Sequence, residues 1–145
     1  HRDEAIPADL QKMLKVLREQ TRMDVVFVSQ FEDGQRKFVA VDAEPPHDVI
    51  KPGMSDPVEE SWCHHIVEGR LPRLIKNARP LIESGRVPHT PLDIGTHLSV
   101  PVTMADGKVY GTLCAFSMHV HDDKNSQDVR RLRNIAKLVS KRIEH

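Results

Sequence analysis

Residues 94–118, IGTHLSVPVTMADGKVYGTLCAFSM, hold two apolar, β-rich runs joined by Ala105-Asp106-Gly107. Gly accepts the positive φ of a tight turn and Asp bonds its own backbone, so Asp-Gly between such runs is a strong hairpin signal. The pattern predicts strands at about 97–104 and 108–118. Val100, Val102, Val109, Leu113 and Phe116 give this hairpin a large apolar payload between polar, Pro- and Gly-broken flanks, which suits a place at the middle of a sheet.

The remainder of the chain supplies partners for that hairpin. Leu10, Met13, Leu14 and Leu17 recur at three- and four-residue spacing and predict an amphipathic helix from Glu4 to Gln20. Met23 to Phe31 switches to a β-branched, aromatic run. Asp33-Gly34 then turns the chain into a second strand over Arg36 to Val41. Ala43 to Pro57, with Pro45, Pro46, Pro52, Gly53 and Pro57, reads as a loop. Asp56-Pro57 resembles an N-cap followed by proline at the first helical position. With Glu59 and Glu60 behind it, it predicts a helix from about 57 to 68 that stops at Gly69. Arg73 to Lys76 is a short strand. Residues 78–93, with Pro80, Gly85, Pro88 and Pro91, read as a lid-like loop with one or two helical turns at Arg79 to Glu83. The chain closes with a helix from about Ser126 to Arg142, in which Val129, Leu132, Ala136, Val139 and Ile143 form an a/d seam. Adjacent strand pairs rather than alternating βαβ units predict an α+β fold, an antiparallel sheet with helices segregated to one side.

A chain of 145 residues is long enough for one domain to bury roughly 68–70% of its unfolded surface without staples. Lys plus Arg and Asp plus Glu balance at 21 each, so no global field draws the chain to nucleic acid or an anionic membrane. No apolar run reaches the roughly 18 residues of a membrane span, and no signal peptide is visible, so a cytoplasmic location is expected. Cys63 and Cys114, the two cysteines, are read as reduced and buried.

Three segments carry a family resemblance: MDVVFVSQF at 23–31, ESWCHHIVEGRLPRLIKNA at 60–78 and IGTHLSVPVTMADGKVYGTLCAFS at 94–117. Together they resemble a GAF domain, the sensory module of multidomain signalling proteins. The SVPV strand, the Asp-Gly turn and the YGTLC strand are the most specific part. The resemblance implies a GAF/PAS-like central antiparallel sheet of five or six strands. It also implies N- and C-terminal helices on one face, and a short helix and loops over a ligand pocket on the other. It further implies that residues 1–145 are a single domain within a longer protein, and that the terminal helices dimerise. The seam residues Val129, Leu132, Ala136, Val139 and Ile143 are the dimer-interface candidates. Packing of the same stripe on the sheet is the equal alternative.

For chemistry, Cys63-His64-His65 stands out. Successive helical residues point about 100° apart, so a metal there would need ligands from elsewhere, among them His97, His47, His119, His121 and Asp122. The reading taken is no metal, and no cofactor is predicted. The bilin-attaching cysteine of phytochromes and cyanobacteriochromes lies in the lid, where Arg79 to Asp93 has none. Free methionine sulfoxide reductases, also GAF proteins, use cysteines in that same region, so an enzyme is not expected. The Asn-Lys-Phe-Asp-Glu motif of cyclic-nucleotide-binding GAF domains is absent, and Lys76-Asn77 does not replace it. There remains a pocket walled by Trp62, Cys63, Ile66, Ile75, Leu98, Val100, Cys114 and Phe116, with His97 or Asn77 as polar contacts. Strand alternation sets His97, Ser99 and Thr103 opposite Leu98, Val100 and Val102, which would turn His97 away from that pocket. The function expected is regulatory: an unknown small molecule or a redox state is relayed to a linked output domain. A ligand-free dimerisation module is the second reading, and a thiol enzyme of the methionine sulfoxide reductase kind the third.

Overall fold

The computed structural model describes residues 8–48, 50–88, 90 and 92–144. Residues 4–7 of the expected first helix and His89 and Pro91 of the expected lid lie outside the described residues. The elements run α1 (Ala8–Thr21), β1 (Val25–Glu32), β2 (Gln35–Ala43), β3 (Ser55–Pro57), a 3-10 turn (Val58–Glu60), α2 (Trp62–Val67), β4 (Leu74–Ile75), α3 (Arg79–Glu83), β5 (Thr96–Thr103), β6 (Val109–Ser117) and α4 (Ser126–Glu144). The six strands form one α+β sheet in the order β3-β2-β1-β6-β5-β4, with every neighbouring pair antiparallel. Both expected hairpins form. Asp33 and Gly34 turn the first at φ 54° and 75°, and Gly107 turns the second at φ 87°.

The middle of the sheet is the β1–β6 pair rather than the β5–β6 hairpin, since β5 has only the two-residue β4 outside it. Val25 to Val28 are buried on both faces, as a central strand requires. Gly111 explains why the YGTLC motif carries glycine: a Cβ there would lie 1.8 Å from the Ser29 carbonyl oxygen across the strand pair. No side chain fits that approach.

The sheet separates two cores. On one face Leu10, Leu14 and Leu17 of α1 and Leu132, Ala136 and Val139 of α4 pack on Val26, Val28, Leu98, Val100, Val102, Leu113 and Ala115. Val129 and Ile143 flank the same cluster. Leu132, Ala136 and Val139 of the α4 stripe are thus buried on their own sheet, which corrects their assignment to a dimer seam, while Val129 and Ile143 lie half-buried at its margin. Among the described residues, the large apolar side chains left exposed on α1 and α4 are Val16 and Leu138, at 50% and 41%. On the other face Val25, Phe27, Phe38, Ile75, Cys114 and Phe116 meet Trp62 and Cys63 of α2, Ala78 and Val87 of the lid, and Ile94 just after it.

The predicted 57–68 helix is shorter and begins later. Pro57 is extended (φ −61°, ψ 130°), and the side chain of Ser61 caps α2 by accepting from His64 N–H at 3.1 Å. Asp56 does not act as a cap because its carboxylate is taken by its strand neighbour Arg36, with Nε–Oδ1 at 2.9 Å and Nη2–Oδ2 at 2.6 Å. A bidentate, charge-assisted pair outweighs a cap worth about 1 kcal/mol. The expected 43–57 loop therefore ends in an edge strand, where proline costs no ladder bond.

Candidate functional site

Strand alternation builds the floor of the site in rungs. Register places Val25, Phe116 and His97 in one row across β1, β6 and β5, and Phe27, Cys114 and Ser99 in the next. All of these side chains point away from the terminal helices. A bulge opposite the Val28/Ser29 step of β1 breaks the β2 pairing between Phe38 and Ala40. Phe38 and Arg36 accordingly share the α2 side of the sheet. Phe27 and Phe38 meet edge-on at 4.8 Å, and the Arg36 guanidinium lies 4.7 Å from the Phe38 ring and 5.6 Å from the Phe27 ring.

Above this floor lies a cavity of about 300 Å³, lined by Phe27, Arg36, Ile50, Asp56, Glu60, Ser61, Trp62, Thr90, Leu92, Ile94, His97 and Phe116. Trp62 forms its roof. The indole N–H donates to the Pro88 carbonyl at 2.9 Å, tying α2 to the lid, and the ring sits 5.1 Å from that of His97. Behind the lining, the buried sulfurs of Cys63 and Cys114 meet the inner side of the His97 ring, with the ligand atoms of the three residues within 4.8 Å of one another. Cys114 Sγ lies 3.3 Å from His97 Nε2, and Arg36 Nη1 lies 3.5 Å from Cys63 Sγ. Beside them Ser29 and Thr112 share a buried hydroxyl hydrogen bond of 2.8 Å. His97 Nδ1 has no hydrogen-bond partner among the described residues. The buried Oγ of Ser99 has none beyond the sulfur of Cys114 beside it.

The electrostatics follow from burial beside one cation. The Cys63 thiol is lowered to about 5: a hydrogen bond from the Cys114 thiol favours the thiolate, burial opposes it, and Arg36 adds to the stabilisation. Cys114 moves well above the ordinary thiol range, through burial first and then the neighbouring Cys63. Burial, helped by Arg36, drives His97 down to about 3, so the imidazole is neutral at physiological pH. Arg36 stays charged. Burial works against its cation, but Cys63 and Asp56 more than offset that and raise it.

Of the residues expected at a pocket, Trp62, His97 and Phe116 line the cavity. Cys63, Ile75 and Cys114 belong to the layer behind it. Leu98 and Val100 are corrected: they face α1 and α4, and His97 faces the cavity instead of turning from it. Ile66 is buried but contributes nothing to the lining. Asn77 is exposed, its Oδ1 accepting from Arg79 N–H at 3.2 Å ahead of α3. The lining residues that sequence reasoning missed include Arg36 and Asp56. An arginine two positions from Phe38 in a strand is the available signal, since both share a face.

The GAF domain family model matches residues 8–144. The chain belongs to the GAF family. Among curated proteins, none matches the sequence. Solved structures match over nearly the whole fold. The type II free methionine-R-sulfoxide reductase from Thermoplasma acidophilum is 18% identical, with 99% of this chain and 96% of that one covered at a TM-score of 0.73. The GAF domain of an Acinetobacter phosphoenolpyruvate-protein phosphotransferase is 19% identical, with 94% and 80% covered at 0.74. The second GAF domain of DevS from Mycobacterium smegmatis is 18% identical, with 96% and 94% covered at 0.68. These likenesses establish the fold of the GAF domain described here. Among its described residues no helix is long and apolar enough to cross a membrane.

Proposed function

We propose that this GAF domain is a regulatory sensor that takes a small polar molecule into the cavity beneath Trp62. The observation that supports this most is the cavity itself. It is apolar on the floor and carries a few convergent polar groups, among them His97, whose buried Nδ1 has no partner among the described residues. That composition is typical of small-molecule sites, and about 300 Å³ lies at the lower end of their size range, which suits a metabolite rather than a large cofactor. Aromatic faces at Trp62, Phe27 and Phe116 would hold the body of the ligand, and His97, Thr90 and the Asp56–Arg36 pair its polar groups.

Trp62 joins α2 to the lid, so an occupant that shifts the indole moves both. The sheet strands whose side chains floor the cavity also carry α1 and α4 on the opposite face, and through them a change of packing reaches whatever the domain is joined to. The ligand drives this only if it binds the two packings with unequal affinity. In this reading the domain is a cytoplasmic part of a longer signalling protein. If it dimerises, it does so through the outer faces of α1 and α4 around Val16 and Leu138.

A metabolite panel in a thermal-shift assay tests the proposal. A true ligand at 100 times its Kd adds about 2.7 kcal/mol, hence a rise of roughly 5–10 °C in Tm for a chain of this size. Trp62→Ala and His97→Ala should remove the shift. A panel without a hit, together with side chains filling the cavity in a crystal structure, favours the ligand-free scaffold.

The lowered Cys63 thiol supports a second reading, reduction of free methionine sulfoxide, the activity named for the Thermoplasma protein. Against it, Cys63 lies behind the cavity lining and its partner Cys114 is equally buried. Turnover of methionine sulfoxide with a dithiol reductant, lost in Cys63→Ser, would establish it. No turnover by the wild-type chain would dismiss it.

A further inference from the structure

We infer that Cys63 of α2, Cys114 of β6 and His97 of β5 form a zinc-binding site in the layer behind the cavity. The site borders the cavity through His97, whose Nε2 faces Cys114 while Nδ1 is the ring nitrogen without a partner among the described residues, and zinc binding is measured with no small molecule added. The two sulfurs and one ring nitrogen arrive from three different elements and lie within 4.8 Å of one another, all on buried residues. Around a tetrahedral zinc with bonds of about 2.3 Å to sulfur and 2.0–2.1 Å to nitrogen, neighbouring ligand atoms stand about 3.5–3.8 Å apart. Cys114 and His97 are already at 3.3 Å. Shifts of about an ångström complete the set, well within the reach of side-chain rotation.

The donors also match in kind. Two thiols and an imidazole select zinc or copper(I) and reject the hard cations magnesium and calcium. Charge decides for the divalent ion. Two thiolates, the Arg36 cation and the Asp56 carboxylate sum to two negative charges, and zinc brings a buried cluster to neutrality. Arg36 is placed as an outer-shell donor, with Nη1 3.5 Å from Cys63 Sγ and the rest of its guanidinium fixed by Asp56. Ser99 pairs with Cys114 in the strand register and shares its face. Its buried Oγ, lacking any partner but that sulfur, is positioned for a fourth ligand or for a water that serves as one.

The test uses the whole chain, reduced and stripped with a chelator, titrated with zinc alone against a competing chromogenic indicator. One zinc per chain is expected. Because loss of an outer-shell partner already costs about 10–100-fold in affinity, Cys63→Ser and Cys114→Ser should each weaken binding by more than about 100-fold. His97→Gln should weaken it by at least about tenfold. Circular dichroism of each variant checks folding. X-ray absorption at the zinc edge of the wild-type protein needs no variant and should show two sulfur ligands. Failure to bind zinc, binding of copper(I) but not zinc, or a coordination shell without sulfur, as surface histidines such as His64 and His65 would give, overturns the assignment.

Discussion

The two faces of the sheet are made by the same strands yet differ in kind. Toward α1 and α4 every buried position in the cluster is aliphatic, Met or Ala. Toward α2 the layer mixes the rings of Phe27, Phe38, Trp62 and Phe116 with aliphatic side chains and includes two thiols, an imidazole and a guanidinium beside a cavity. The first face is packed for stability. On the second, volume is left unfilled and the buried Nδ1 of His97 has no partner among the described residues, which lowers stability and is the usual mark of a site. The comparison teaches that alternate residues of one strand, such as Leu113 and Cys114, are under different demands.

The comparison can be broken at several strengths. The largest effect is expected at the hinge between the faces: Gly111→Val drives a side chain into the Ser29 carbonyl. Loss of more than about 4 kcal/mol is expected, seen as disappearance of the cooperative urea transition. On the aliphatic face, Leu132→Ala should cost about 2–5 kcal/mol and leave ligand and zinc affinity unchanged in whatever fraction remains folded.

On the polar face, pH separates the two. In metal-free protein the imidazole of His97 is held at about 3, against an ordinary value of 6.5. Between those values the unfolded chain binds a proton that the folded chain refuses, so stability falls as pH drops through that window. A loss of about 2–4 kcal/mol from pH 7 to pH 4 is expected, measured by denaturant titration. His97→Gln should flatten the part of that limb below pH 5, where Cys63, held at about 5 and losing its own contribution as pH falls toward that value, no longer adds to the slope, whereas Leu132→Ala lowers the whole curve without changing its slope. Next in size, Asp56→Asn removes the bidentate partner of Arg36 and should cost roughly 1–3 kcal/mol, with a loosened 55–57 edge visible by hydrogen exchange. The smallest effect is expected outside both faces: Leu138→Ser should stay within about 0.5 kcal/mol.

Legibility in the sequence follows the same division. The hairpins could be read because Asp33-Gly34 and Asp106-Gly107 are local turn chemistry, and α1 and α4 because their stripes repeat along a single helix. Asp56-Pro57 misled for a matching reason. Its capping pattern is local, while the arginine that claims the carboxylate sits on another strand, twenty residues away. In β5 both faces are buried, so the alternation of His97 and Ser99 with Leu98, Val100 and Val102 does not say which set meets the helices. Hydrophobicity alone points Leu98 and Val100 to a pocket, whereas they pack toward α1 and α4. The meeting of Cys63 with Cys114 and His97 joins a helix to two strands, and no spacing in the sequence announces it. The α4 seam was fully legible as a stripe, but a stripe does not name its partner, and the partner is the sheet.

Native mass spectrometry of the protein purified from its own cells bears most directly on the claim that the α2 face is a binding face. The account predicts a mass equal to the chain, with its zinc, plus one small molecule, with the small molecule alone missing from Leu92→Trp, which fills the cavity. The wild-type chain carrying no small molecule, with a spectrum differing from that of Leu92→Trp only by the substitution, would contradict it.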